Sequence, residues 1–165
     1  MTCGVEIHFL PGVAGSEAGL ECILKRLRLL LPQSAYAPTA ESVEKFLIDC
    51  QSSLSLDGEQ KLFALALTTE GILCGFAQFR FYGSDADLDF ILIDENQRGK
   101  GYGKFILDAS LAQLRQKGVH RIVLEVSTQN TAALALYQSF GFNSLSVRKR
   151  YYRNGEDAAI MEKSI

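Results

Sequence analysis

The pattern of hydrophobic and polar positions in the first sixty residues predicts one short strand and two helices. Apolar and polar residues alternate over Val5–Leu10, which is typical of a strand with one buried face. Apolar residues then recur at three- and four-residue intervals over residues 16–31 and 40–50, as on the buried face of an amphipathic helix. Pro32 ends the first of these helices because it cannot continue the helical hydrogen bonds.

From residue 61 onwards, longer apolar runs and strict alternation predict mainly strands. The predicted strands span residues 62–67, 72–81, 88–93, 120–126, 142–152 and 158–165, and the predicted helices end near residues 117 and 140. Because a helix connects the strand at 88–93 to the strand at 120–126, these two strands are expected to be parallel. The pattern predicts one α/β domain over residues 1–165, with a central mixed, mostly antiparallel, seven-stranded sheet flanked by about four helices.

Length and charge narrow the possible partners. The 165 residues are 47% hydrophobic and 22% charged, enough for one well-buried core. The net charge of −2 argues against nucleic acid, which requires a concentrated basic face. The N-terminal residues lack the pattern of a secretory signal, and no apolar run approaches the ~20 residues that cross a membrane. A cytoplasmic protein without a membrane partner is therefore expected, either a monomer or a homodimer.

The cysteines and histidines do not form a metal-binding pattern. The cysteines are Cys3, Cys22, Cys50 and Cys74, and the histidines are His8 and His120. The cysteines are widely spaced and include no C-x-x-C pair, so neither a zinc site nor another metal cofactor is expected. Reduced, partly buried thiols are the preferred interpretation, and disulfide pairing is an alternative that spacing alone does not decide.

Three glycines alternate between the strand at 88–93 and the helix that follows it. The segment reads Arg98-Gly99-Lys100-Gly101-Tyr102-Gly103-Lys104. The N-terminal end of a helix carries partial positive charge and uncovered N–H groups, so it binds phosphates well. Glycine allows a ligand to approach the backbone because it has no Cβ. This stretch is therefore a candidate phosphate-binding loop.

The loop by itself is compatible with three interpretations. It could be a tight turn without a ligand. It could belong to a dinucleotide fold, for which Glu125 lies at about the expected distance of ~20 residues, although Lys104 departs from the G-x-G-x-x-G pattern. It also resembles the R/Q-x-x-G-x-G pyrophosphate loop of the GNAT acetyltransferases through Arg98, Gly101 and Gly103. The order of the predicted strands argues against the dinucleotide fold.

The second half of the chain resembles the GNAT superfamily in several further motifs. One is the LEV sequence at residues 124–126, and another is N-x-x-A-x-x-L-Y-x-x-x-G-F. The second motif comprises Asn130, Ala133, Leu136, Tyr137, Gly141 and Phe142. Tyr151 and Tyr152, followed by residues 156–158 and Met161, are similar to the end of the RimI-type enzymes, which acetylate the N-terminal α-amine of a ribosomal protein. The first ~60 residues do not carry this branch resemblance; the loop around Tyr36 is more similar to small GNAT enzymes in general.

The resemblance implies roles for individual residues. Glu125 would be the general base and Tyr137 the general acid. The residues implied in cofactor binding are Ile91, Leu92, Ile93, Arg98, Gly99, Lys100, Gly101, Tyr102, Gly103, Lys104 and Asn130. Simpler structural roles stay open: an outward-facing strand residue for Glu125, a core aromatic for Tyr137 and a helix N-cap for Asn130.

The implied reaction is acetyl transfer from acetyl-CoA to an amine. A protein N-terminus is the preferred acceptor, a small-molecule amine is the alternative, and a non-catalytic module that binds acyl-CoA is the alternative outside enzymes. One further feature is an acidic group around the strand at 88–93. Its members, Asp85, Asp87, Asp89 and Asp94, would either attract a cationic substrate or lie in a solvated turn.

Overall fold

The structure is a computed structural model that describes residues 5–10, 25, 29, 60–68 and 72–165. Its strands are β1 (Val5–Leu10), β2 (Gln60–Thr68), β3 (Leu73–Tyr82), β4 (Asp85–Ile93), β5 (Arg121–Ser127), β6 (Asn143–Arg148) and β7 (Ala158–Ser164). Its helices are α1 (Tyr102–Gln116) and α2 (Thr131–Ser139), and a 3₁₀ turn spans Glu95–Gln97. Lys25 and Leu29 are helical, but the helices predicted over 16–31 and 40–50 otherwise lie outside the described residues.

The strands form one mixed sheet in the order β1-β2-β3-β4-β5-β7-β6. β4 and β5 are parallel, as predicted from the helix that connects them, and the other neighbouring pairs are antiparallel. The predicted mixed, mostly antiparallel architecture is therefore confirmed. About four helices were predicted. The described part of the chain contains two complete helices, α1 and α2, so the predicted number is not matched there.

Helix α1 supplies one layer of the core by packing on the sheet. Ile106, Leu107 and Leu114 are fully buried, and Phe79 is among the strand residues in the same core. Phe105 is apolar as well, but it is 52% exposed. Residues two apart on a helix point in directions that differ by about 200°, so Phe105 cannot share the face of Leu107.

The last hairpin is shorter than the sequence predicted. The strand predicted over 142–152 ends at Arg148, because residue 150 adopts the left-handed conformation with φ 52° and turns the chain. The carboxylate of Asp157 stabilises this turn by accepting from the backbone N–H of Arg150 at 2.9 Å and from Lys149 Nζ at 2.7 Å. These hydrogen bonds, that of Lys149 foremost, lower the pKa of Asp157 below its ordinary value.

Strand β4 separates from β5 halfway along its length. The two strands are paired from Asp85 to Leu88, and the register contains no pair beyond Leu88. A bulge between β3 and β4 at the same level leaves Asp89 as the extra residue, because Gln78 pairs with Phe90 and Phe79 with Leu88. The predicted buried strand at 88–93 is therefore buried only at Leu88, and its remaining residues are partly exposed to the space that opens.

Gly75 on β3 allows β4 to approach closely at this point. A Cβ at Gly75 would lie 2.5 Å from the Leu92 carbonyl oxygen and 2.6 Å from Ile93 Cδ1. We expect Gly75→Ala to lower the free energy of unfolding by ~1–3 kcal/mol, because the backbone of β4 would have to move. Urea unfolding measures this effect. Gly103→Ala is the control, since its Cβ would meet Leu136 at an ordinary 3.5 Å; equal stability of the two variants would contradict the prediction.

Candidate active site

A cleft of about 830 Å³ occupies the space between the separated ends of β4 and β5. One wall is the end of β4, including Ile91, Leu92 and Ile93, and the opposite wall is the end of β5 with the start of α2. The loop before α1 also lines the cleft. The cleft therefore brings together residues of β4, α1, β5 and α2, with Tyr152 from the connection between β6 and β7.

The glycine-rich loop presents the N-terminus of α1 to this cleft. Gly101 is the N-cap of α1 with φ 84°, and no side chain caps the helix. Gly99 is also left-handed, with φ 76°, and a Cβ there would meet no atom within 4 Å. Both positions require glycine for their backbone conformation. The uncapped helix end fits a phosphate group, because no side chain of this loop competes for its N–H groups.

The cations of the loop differ in their positions. Arg98 lines the cleft and is folded back onto β4, where its Nε donates to the Ile93 carbonyl oxygen at 3.3 Å. Lys104 also lines the cleft, together with Tyr102 and Gly103. Lys100 does not line it, and its Nζ donates instead to the Gln97 side chain at 2.8 Å. Of the residues predicted for the loop, Lys100 is the one that the structure places outside the cleft.

Glu125 lies in the cleft near the middle of β5. Its neighbours Leu124 and Val126 are buried in the core, so the alternating strand directs Glu125 to the opposite face. The side chain is 33% exposed, and Oε1 accepts from Arg148 Nη1 at 2.9 Å. Glu125 is therefore an outward-facing strand residue that also lines the cleft. The two interpretations made from the sequence are compatible.

Tyr137 reaches the cleft from α2. Its ring is 5% exposed and packs edge-to-face on Phe142, with 5.7 Å between ring centroids. Burial of the phenol, with a smaller contribution from the charge of Tyr152, raises the pKa of Tyr137 above its ordinary value. The phenol is thus protonated at neutral pH and is able to donate a hydrogen bond into the cleft. Tyr137 is at once a core aromatic and a cleft residue.

Asn130 combines its two predicted roles in the same way. It is the N-cap of α2, because its Oδ1 accepts from the backbone N–H of Ala133 at 3.1 Å. The residue also lines the cleft. The capping hydrogen bond thus restrains a side chain of the cleft wall.

Each of the acidic residues around β4 has a polar partner. Asp89 binds Arg80 Nη2 at 2.6 Å through Oδ1, and Arg121 Nη1 lies 3.5 Å from Asp85. Asp94 is 4% exposed and accepts from the backbone N–H of Asn96 at 2.9 Å, so it caps a turn, as one of the two alternatives had it, but its side chain is buried and not solvated. Asp85 and Asp87 share the exposed face of β4, Arg80 Nη2 also lies 4.0 Å from Asp87, and Asp94 lies apart from them in the turn that follows the strand.

Two polar residues beside Glu125 were not predicted from the sequence. Ser127 is buried at the end of β5, where its hydroxyl donates to the Glu156 carboxylate and accepts from the backbone N–H of Gln129. Its position two residues after Glu125 was a usable signal, since residues two apart share one face of a strand. Arg148 offered no such signal, because its contact with Glu125 crosses the intervening strand β7.

The described residues contain neither a cluster of metal ligands nor a membrane-spanning helix. Within the described ranges, no three His, Cys, Asp or Glu side chains are grouped so that they could hold a metal ion. Among the helices that the structure describes, none is long and apolar enough to cross a membrane. Cys74, the described cysteine, is buried, and its Sγ donates to the Ile72 carbonyl oxygen at 3.5 Å; the other three cysteines lie outside the described residues.

The separated strands, the glycine loop and the cleft residues together define an acyl-CoA-dependent acyltransferase. The sequence profile described as "Acetyltransferase (GNAT) family" matches residues 27–142, and the chain belongs to that family. It is an N-acetyltransferase that uses acetyl-CoA as its co-substrate. The resemblance inferred from the motifs is thereby confirmed.

Proteins similar to this chain include enzymes named for one acceptor. The chain is 34% identical over 105 residues to the [ribosomal protein bS18]-alanine N-acetyltransferase of Salmonella typhimurium, covering 62% of this chain and 71% of that protein. It is 37% identical over 98 residues to the Escherichia coli enzyme of the same name, covering 58% and 66%. The crystal structure of the E. coli ribosomal-protein-S18-alanine N-acetyltransferase superposes with a TM-score of 0.72 at 26% identity, covering 98% of this chain and 94% of that one.

Proposed function

We propose that this protein transfers the acetyl group of acetyl-CoA to the N-terminal α-amine of a protein. The observation that carries the proposal is that Glu125 and Tyr137, on different elements, line the same cleft as the uncapped N-terminus of α1. The similarity to enzymes named for the alanine of ribosomal protein bS18 supports a protein N-terminus as the acceptor and a ribosomal protein as the first candidate.

The proposed binding of acetyl-CoA follows from the two open backbone surfaces of the cleft. Gly99, Gly101 and Gly103, with Arg98 and Lys104, would hold the pyrophosphate at the start of α1. The part of β4 beyond Leu88 has no partner in β5, so its backbone groups near Ile91 to Ile93 would bind the pantetheine arm and the thioester oxygen. Asn130 and Tyr102 would contribute to the adjoining wall.

The proposed base is Glu125. An α-amine has an ordinary pKa of ~8, so much of it is protonated at neutral pH and must lose a proton before it attacks the thioester. A carboxylate at the wall of the cleft accepts that proton directly or through one water. The nitrogen then forms a bond to the acetyl carbon, and the bond between that carbon and the CoA sulfur breaks.

The proposed acid is Tyr137. The departing thiolate has an ordinary pKa of ~8.5, well below that of the buried phenol. Tyr137 therefore stabilises the sulfur chiefly as a hydrogen-bond donor, and complete proton transfer to the sulfur requires that the phenol is reprotonated from solvent. This makes the contribution of Tyr137 one of electrostatic stabilisation in the transition state.

The acceptor is tested by measuring CoA release with a panel of peptides that differ in their first residue. We expect turnover on peptides with a free α-amine, strongest for particular first residues, and no turnover when the α-amine is blocked. Polyamines and free amino acids are the comparison substrates. Turnover on small amines alone would reject the protein acceptor and leave the acetyltransferase activity. Tight acetyl-CoA binding without turnover on any of the substrates would favour a non-catalytic module.

A further inference from the structure

Arg148 is the one residue of β6 whose contacts in the described part of the chain reach the cleft. Arg148 pairs in register with Ala158 of β7, and Ala158 pairs with Ser127 of β5. The guanidinium thus crosses β7 to bind the Glu125 carboxylate, with 2.9 Å between Nη1 and Oε1. The small side chain of Ala158, which is fully buried, leaves room for this crossing.

The contact engages one oxygen of the carboxylate and leaves the other available. Oε1 of Glu125 accepts from Arg148, while Oε2 has no partner among the described residues. Tyr151 also contacts Arg148, because its ring centroid lies 5.6 Å from the guanidinium carbon, within the range of a cation–π contact. The arginine is therefore restrained at both the aromatic ring and the carboxylate.

We propose that Arg148 is a positioning residue for Glu125 that holds Oε1 so that Oε2 receives the proton of the acceptor amine. This inference rests on the proposed role of Glu125 as the base. A carboxylate bound through one oxygen has lost most of its rotational freedom, and the remaining lone pairs point in a fixed direction. Orientation of a catalytic group contributes to the rate because less freedom is lost in the transition state.

The position of Arg148 predicts which kinetic constant it affects. Arg148 contacts Glu125 and is not among the residues that line the cleft at the start of α1, so it is expected to affect the rate of the chemical step and not the binding of acetyl-CoA.

A purely structural ion pair makes a different prediction. Arg148 is 55% exposed on the edge strand of the sheet, and exposed pairs contribute little to stability. If the pair were only structural, its removal would change neither kcat nor the melting temperature by much. The effect on kcat thus separates the two roles.

The test compares Arg148→Met and Arg148→Lys with a control on the same hairpin. Arg153→Met removes an exposed cation that has no contact with Glu125 in the described structure. We expect Arg148→Met to lower kcat about 5- to 10-fold, as for the loss of a partly exposed charged hydrogen bond, with KM for acetyl-CoA unchanged. Arg148→Lys should recover part of this loss, and Arg153→Met should match the wild type.

A double variant separates failure of this inference from failure of the proposed base. In the Glu125→Gln background, Arg148→Met should cause no further loss, because the residue acts through the carboxylate. A wild-type kcat for Arg148→Met, equal losses in Arg148→Met and Arg153→Met, or additive losses in the double variant would each overturn the positioning role. A wild-type kcat for Glu125→Gln would instead overturn the base assignment itself.

Discussion

Glu125→Gln is expected to lower kcat for acetyl transfer by ~10²–10⁴-fold, the usual contribution of a general base. Glutamine has nearly the same shape and still accepts a hydrogen bond from Arg148 through its amide oxygen, so the fold should be unchanged. It has no carboxylate to take the proton of the ammonium group. CoA release should therefore fall, while the Kd for acetyl-CoA, measured by isothermal titration calorimetry, should equal that of the wild type.

Glu162→Gln is a closely matched control for this variant. Glu162 lies on the neighbouring strand β7, its side chain is 32% exposed, and its Oε2 accepts from Arg121 Nε at 2.9 Å. Glu125 has almost the same exposure and the same kind of partner, but Glu162 is not part of the cleft lining. Equal losses of kcat in the two variants would show that removing either carboxylate from the sheet lowers the rate, and that Glu125 is not the base. Loss of acetyl-CoA binding in Glu125→Gln would indicate structural damage instead.

Tyr137→Phe is expected to lower kcat by about 10- to 100-fold, the value of one hydrogen bond to a charged group. The ring and its packing against Phe142 would be retained, and only the phenolic hydroxyl would be lost. The loss should be smaller than for Glu125→Gln, because a phenol with a raised pKa stabilises the sulfur without fully giving up its proton. Single-turnover measurements of CoA release report this step directly.

The leaving group provides the decisive comparison for Tyr137. A thioester whose thiol has a lower pKa needs less stabilisation of the departing sulfur. With such an acetyl donor in place of acetyl-CoA, the difference in kcat between Tyr137→Phe and the wild type should therefore become smaller. Tyr82→Phe serves as the control, since Tyr82 is 69% exposed and lies outside the cleft lining. A loss that does not depend on the thiol would mean that Tyr137 acts on the fold of the cleft and not on the leaving group.

Local patterns in the chain were sufficient for most of the described elements. The helix predicted to end near residue 140 is present as Thr131–Ser139, and the strand predicted at 120–126 is present as Arg121–Ser127. Such elements depend on the spacing of apolar residues and on local stop signals such as Gly118, which has φ 84° after α1. The motifs that identified the family could be recognised in the sequence because each of them is also a short local segment.

Predictions about burial were less accurate where neighbours in space decide the outcome. Asp94 is in a polar stretch but is buried, because its backbone N–H bonds to the Cys74 carbonyl oxygen on β3 and its carboxylate caps the 3₁₀ turn. The residues after Leu88 form an apolar run but are partly exposed, because β5 has separated from β4. Neither fact is contained in the local sequence.

The sequence by itself determined the class of the fold, the family, the glycine loop and the identity of the two candidate catalytic residues. Only the tertiary structure decided where the sheet opens, which of the loop residues reach the opening, and that Arg148 binds Glu125 across β7. The physical reason is that periodicity and turn chemistry act between residues close in sequence. The opening of the sheet and the ion pair depend on the register between strands that are more than twenty residues apart.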